Sequence, residues 1–183
     1  MLVALLLVLG ACAQESPSPP ASTVDRFGAP PVESPRDVRP LRQDPCAGPL
    51  DARGWRELGF EAAGAVQTLM TGDRLCDREG LNGARALSFI LVPGRDVLVD
   101  TYRVRQFALF RPMTVGPLPA TVEQSAPDSI SCTVTVGTAE NQGFILNHSE
   151  YELGSDGQAN DPCGRALRVA ERIVASLPPL PPK

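Results

Sequence analysis

One histidine, His148, occurs in the 183 residues, so any imidazole chemistry passes through it. It lies in Leu146-Asn147-His148-Ser149-Glu150, where a hydroxyl, an imidazole and a carboxylate come together. Those are the groups of an acyl-transfer triad, which requires the base within hydrogen-bond reach of its nucleophile. The stretch reads as the end of a strand, where adjacent side chains point to opposite faces, so Ser149 and His148 diverge. His148 is therefore expected to be an exposed strand-end residue and not a base. Glu150, Glu152, Asp156 and Asp161 supply oxygens suited to Ca²⁺, but their spacing lacks the alternating acidic positions and central glycine of a calcium loop. They read as a solvated acidic loop, with Asp161 capping a helix. No nucleophile elbow, zinc-protease helix motif, phosphate loop or dinucleotide fingerprint is present. The sequence assigns no catalytic residue, no cofactor and no metal ligand, and the protein reads as not an enzyme.

The cysteines carry the remaining chemistry: Cys12, Cys46, Cys76, Cys132 and Cys163. An apolar run over 2–9 precedes Gly10-Ala11-Cys12 and is shorter than the about 20 residues that span a bilayer. Leu9-Gly10-Ala11-Cys12 resembles the lipobox of bacterial lipoproteins. That resemblance implies that 1–11 is a signal peptide and that Cys12 is acylated as the new N-terminus. It implies localisation on the extracytoplasmic face of the cell membrane, with the membrane as a partner through the lipid. The basic residues expected ahead of such a run are missing, so the true start is expected somewhat upstream. Four cysteines then remain in an oxidising compartment, which points to two disulfides with three possible connectivities. Cys46 and Cys163 both follow Asp-Pro, which favours the pairs Cys46–Cys163 and Cys76–Cys132. Each would stabilise by roughly 4 kcal/mol in the chain-entropy model. Spacings this wide do not form a CxxC zinc or redox motif.

These groups must be held by a domain. Seven prolines and several serines make 12–43 a flexible stalk behind the lipidated cysteine, and 179–183 a short proline-rich tail. The globular part is expected over 44–178. Asp44-Pro45 signals a helix start, with a helix over 49–58 burying Leu50, Trp55 and Leu58 and stopped by Gly59. Residues 61–76 are ambiguous, with a short strand expected over 66–70. Residues 86–92 read as a strand bounded by a turn over 93–96. Residues 97–105 alternate apolar and polar and read as a second strand or a strand–helix junction. Leu109-Phe110 extends a partner element. A strand is expected over 133–136, a turn over 137–143 and a final strand from 144. Ala166, Leu167, Ala170, Ile173, Val174 and Leu177 recur at helical spacing behind Asp161-Pro162 and ahead of Pro178. The sum is an α+β fold: an antiparallel sheet, one face packed and one wet, packed by N- and C-terminal helices and stapled by two disulfides.

Asp44-Pro45-Cys46 ahead of a helix ending in Leu58-Gly59-Phe60 resembles the opening of the DUF3558 family of actinobacterial lipoproteins. Cys76, Val115-Gly116-Pro117-Leu118-Pro119-Ala120, Cys132-Thr133-Val134-Thr135-Val136 and Asp161-Pro162-Cys163 follow in the same order. Family members often carry an aromatic directly after the central cysteine, where this chain has Asp77-Arg78. The family is functionally uncharacterised, so the resemblance implies fold and location and supplies no catalytic residues. A net charge of −4 and a pI near 5.0 lack the basic face of a nucleic-acid binder. The function expected is a non-catalytic binding or interaction module of the cell envelope, for an unknown envelope protein or small ligand. The alternative is a lipid or small-molecule carrier with an apolar pocket.

Overall fold

The computed structural model describes residues 25–151 and 161–181. Helix α1 (Ala52–Glu57) is followed by strands β1 (Ala65–Thr68), β2 (Arg74–Glu79) and β3 (Arg85–Val92). Helix α2 (Val97–Val104) comes next, then β4 (Leu109–Val115), β5 (Leu118–Gln124), β6 (Ser131–Ala139) and β7 (Gln142–Glu150). Helix α3 (Pro162–Ser176) closes the domain. All seven strands form one antiparallel sheet in the order β1-β2-β3-β7-β6-β5-β4. The long chain connections follow from that order, because β7 returns to the centre between β3 and β6.

Strand alternation assigns each residue to a face. Leu87, Phe89 and Leu91 of β3 stand beside His148, Leu146 and Phe144 of β7, which pair with Cys132, Val134 and Val136 of β6. This inner face is covered by α3 through Ala166, Val169, Ala170, Ile173 and Val174, and by Trp55 and Phe60. Trp55 meets Phe60 edge-on at 6.5 Å, and Phe89 packs against Phe144 at 5.5 Å. The outer face carries Thr133 and Thr135 of β6 and Ile145 and Asn147 of β7, so one face is packed and the other is largely polar, as expected.

The C-terminal helix forms as its periodicity predicts. Asp161 caps it by accepting from Gly164 N at 2.8 Å, and Pro162 occupies its first turn. The first helix is shorter than expected. Asp44 caps only a turn, accepting from the amides of Cys46 and Ala47, because Gly48-Pro49 interrupts the chain. The helix restarts at Asp51, which accepts from Gly54 N, and it ends as expected at Gly59, with φ at +85°. Trp55 is buried within it, whereas Leu50 and Leu58 are half-buried.

Where the sequence reads as a second strand or a strand–helix junction over 97–105, the structure has a helix over Val97–Val104 with Arg105 as its cap. Asp96 accepts from Val99 N, and the buried residues Val97, Leu98 and Tyr102 fall on one helical face. The β-branched valines mask that period in the sequence. This helix lies on the outer face at the β6–β7 end, where the sheet supplies two glycines. A Cβ on Gly143 would stand 2.5 Å from Val97 Cγ1 and from the Val136 carbonyl, and one on Gly137 would stand 3.1 Å from Leu98. The absent side chains are what allow α2 to seat. The expected turn over 137–143 is likewise shorter: β6 and β7 run on to a tight hairpin at Glu140-Asn141, with a register shift between Gly137 and Ala139.

The folded unit reaches beyond 44–178 in both directions. Residues 25–43, read from sequence as stalk, lie on the domain: Val38 is fully buried, and Arg36 N donates to the Thr138 carbonyl. Ala29 packs with Leu98 and Tyr102, and Arg26 pairs with Asp96 at 2.9 Å. The tail joins the same layer, since Leu180 N donates to the Pro35 carbonyl and Arg36 bridges to Pro179. Proline-rich composition concealed this because each segment gains its backbone partners from the other, far away in the chain.

Candidate functional site

Cys12 lies outside the described residues, as do Glu152 and Asp156 of the acidic loop. The other four cysteines form two disulfides, paired as Cys46–Cys76 and Cys132–Cys163. This corrects the expected pairing. Cys76 on β2 and Cys132 on β6 have two strands, β3 and β7, between them. Three strand spacings of about 4.8 Å put them roughly 14 Å apart, twice the about 7 Å that a disulfide tolerates. Each bridge instead ties a strand to the segment packed on it: Cys46 from the Asp44 turn to β2, and Cys163 from the first turn of α3 to β6. Gly64 passes over the first bridge, where a Cβ would stand 2.5 Å from Cys76 Sγ.

His148 is buried on the inner face, not exposed. Its Nε2 lies 3.3 Å from Glu150 Oε1, two residues along the same face, and Phe60 meets its ring edge-on at 5.8 Å. Glu150 is itself held by Arg165 of α3 at 2.7 Å. Ser149 points to the other face and shares a hydrogen bond with Ser131 at 2.9 Å. Alternation therefore separates hydroxyl from imidazole as expected, and the imidazole is sealed under a helix. Burial lowers the His148 pKa, and the Arg85 charge adds to that, against the hydrogen bond to Glu150 and that carboxylate's charge. A depressed native value means that the unfolded chain binds the extra proton first. Stability is then complete above the unfolded value of about 6.5 and is lost as pH falls through the native value, by up to about 1.4 kcal/mol per pH unit. Because this is the chain's one histidine, its Cε1 proton resonance reads the titration directly. A midpoint below 6.5, with denaturation midpoints falling over the same interval and flattened in His148→Gln, is the expected result.

Polar groups gather around an opening on the outer face. Between α2 and the sheet is an open cavity of about 350 Å³. Thr133, Thr135, Ile145 and Asn147 form part of its floor, α2 contributes Val97, Thr101 and Val104, and Phe107 stands at the helix exit. Thr133 Oγ1 donates to Asn147 Oδ1 at 3.0 Å across the β6–β7 ladder. Glu123 of β5 also lines the cavity and is only 4% exposed. It accepts one hydrogen bond, from Thr121 Oγ1 at 3.1 Å. Burial raises its carboxyl above the ordinary value, and the Thr121 hydroxyl opposes this only in part. Arg95, at the rim, is held by Asp73 at 2.7 Å and Asp100 at 3.1 Å. Among the described residues no group of three or more His, Cys, Asp and Glu is placed to hold a metal ion.

The wet face was legible from Thr133-Val134-Thr135-Val136, but Glu123 was not singled out. Its signal is the alternation in Ala120-Thr121-Val122-Glu123, which puts a carboxylate on the same face as those threonines. The cavity wall is not legible without α2, since neither a strand nor a strand–helix junction over 97–105 places a helix above the sheet.

Fold and site together define a disulfide-stapled α+β domain: one antiparallel sheet, sealed by a long helix on one face and partly covered by a short helix on the other. The chain belongs to the family described as "Protein of unknown function (DUF3558)", whose model matches residues 7–176. No curated protein and no solved structure matches it.

Proposed function

We propose that this protein is a non-catalytic binding module of the cell envelope, anchored through a lipid on Cys12. The observation that carries the binding reading is the contrast between the two faces of the sheet. The one imidazole is sealed on the inner face, whereas the outer face keeps an open cavity lined by convergent polar groups. Such a mixture of apolar wall and few placed polar groups is the usual make-up of a small-ligand site. The inner face is filled by Trp55, Phe60, Phe89, Phe144 and α3, which favours this reading over a carrier enclosing an apolar chamber. The anchor rests on the Leu9-Gly10-Ala11-Cys12 resemblance. No helix among the described residues is long and apolar enough to cross a membrane.

Both halves have direct tests. Replacing Cys12 with Ala is expected to move the protein from the membrane fraction to the soluble extracytoplasmic fraction; retention in the membrane sinks the lipid anchor. Native mass spectrometry of protein purified from its own membrane, beside a denatured sample, is expected to show a non-covalent mass lost on denaturation. A bare lipoprotein mass would count against a resident small ligand.

A further inference from the structure

Glu123 is a carboxyl group buried in the wall of this cavity, whose other charged lining residues, Arg95 and Asp100, are paired with each other. Its ladder neighbours are Phe110 on β4 and Thr133 on β6, and its side chain's one hydrogen-bond partner among the described residues is Thr121. No cation among the described residues pairs with it. Elsewhere in the domain carboxylates beside arginines are paired, as Asp37 is with Arg39, Asp96 with Arg26 and Glu150 with Arg165. A buried carboxyl of this kind works against the fold, because desolvation penalises its charged form and the single Thr121 hydroxyl repays it only in part. Groups held in such an environment at the edge of a cavity cluster at functional sites.

We propose that the cavity between α2 and the outer face of the sheet is a ligand site anchored by Glu123, and that it takes a small organic cation. The ligand class is an ammonium on a short apolar stem. The ammonium supplies the charge partner that Glu123 lacks, and Thr133 and Asn147 provide further oxygens on the same floor. Ile90, Val97, Ile145 and Phe107 line the space for the stem. A volume of about 350 Å³ lies at the small end of ligand sites, which limits the occupant to roughly a dozen non-hydrogen atoms. An anionic ligand finds the opposite of what it needs, since Arg95 already serves two carboxylates and Glu123 repels it. This inference rests on the binding reading above and gives it a ligand class.

The test uses phenethylammonium, with phenethyl alcohol as its neutral counterpart and hydrocinnamate as the anion, titrated into the full-length chain and followed by amide NMR. The ammonium is expected to shift the resonances of Thr133, Thr135, Ile145 and Asn147, with an affinity at least tenfold better than that of the alcohol. Glu123→Gln keeps the side chain's size and should remove that tenfold preference. Glu171→Gln, which alters an exposed acid on α3, should leave it within twofold. Glu123→Gln is also expected to raise the thermal midpoint at neutral pH, which separates lost binding from lost folding. Equal binding of ammonium and alcohol in this cavity overturns the cation assignment while the binding module stands. Shifts that persist unchanged in Glu123→Gln, or no shift on this face with any of the three probes, overturn the site. A bare mass in the native experiment would speak instead against a resident small ligand, the part of the binding reading on which this inference rests.

Discussion

Replacing Cys132 and Cys163 together with serine is expected to lower the unfolding free energy by about 4 kcal/mol. The bridge joins residues 31 apart in sequence, and in the chain-entropy model opening a loop of that size returns this much freedom to the unfolded chain. The loss is a large share of the roughly 5–15 kcal/mol that holds a domain of this kind together. Its structural meaning is specific. Cys163 sits in the first turn of α3, and α3 covers the inner face along β6 and β7. The bridge therefore fixes the point where α3 begins to cover the main hydrophobic core. Denaturant titration of the double variant checks the magnitude, with the slope of the transition kept as a test that unfolding stays cooperative. Peptide mapping without reduction checks the premise. Linked peptides containing Cys46 and Cys163 would overturn the pairing and the prediction with it.

That pairing shows what local sequence conveys and what it does not. Both Asp-Pro-Cys motifs accept backbone amides, Asp161 at the start of a helix and Asp44 at a turn. Their resemblance says nothing about which strand lies beside each. That depends on sheet order, and the placement of β7 between β3 and β6 is a long-range fact. The amphipathic period of α3, the alternation of β6 and the stop at Gly59 were legible because each is set by residues within a few positions. The segment 25–43 was not, because its partners are Thr138, Gln142 and Pro178, more than a hundred residues away. Helix α2 failed for another reason: its valines favour a strand, and only glycines at 137 and 143 reveal that something must pack over them. The candidate site inherits both difficulties, being made of a helix that propensity disguises and a glutamate that lines the cavity beneath it.

Arg78 is expected to be the most sensitive charged residue in the domain, and the order of its substitutions is the informative result. The guanidinium lies 4.2 Å over the Trp55 ring, and the residue is 3% exposed. It donates to the carbonyls of Glu61, at 3.0 Å, of Cys46, at 2.7 Å, and of Ala62. These carbonyls belong to the segments that flank the Cys46–Cys76 bridge, so a single side chain ties the Asp44 turn and the approach to β1 onto the sheet. It also explains why Asp77-Arg78 serves after the central cysteine: alternation sends Asp77 outward to Gln67 and Ser88 and Arg78 inward onto Trp55. Burial pushes its pKa down, with the Asp44 charge opposing, but a guanidinium stays protonated and must be satisfied where it stands. Lysine keeps the charge and loses the planar fork and the ring stacking, leaving an ammonium with fewer partners in a desolvated site. Methionine removes the charge and keeps much of the volume, and exposes only the carbonyls to loss. Arg78→Lys is therefore expected to cost about 3–5 kcal/mol, the scale of an uncompensated buried charge. Arg78→Met is expected to cost about 1–3 kcal/mol, the scale of unsatisfied carbonyls. Equilibrium denaturation of both variants settles the order, and hydrogen exchange at 61–64 and 46–47 locates the damage. If lysine proves the milder replacement, the charge is solvated in the folded state and the guanidinium is not the tie described.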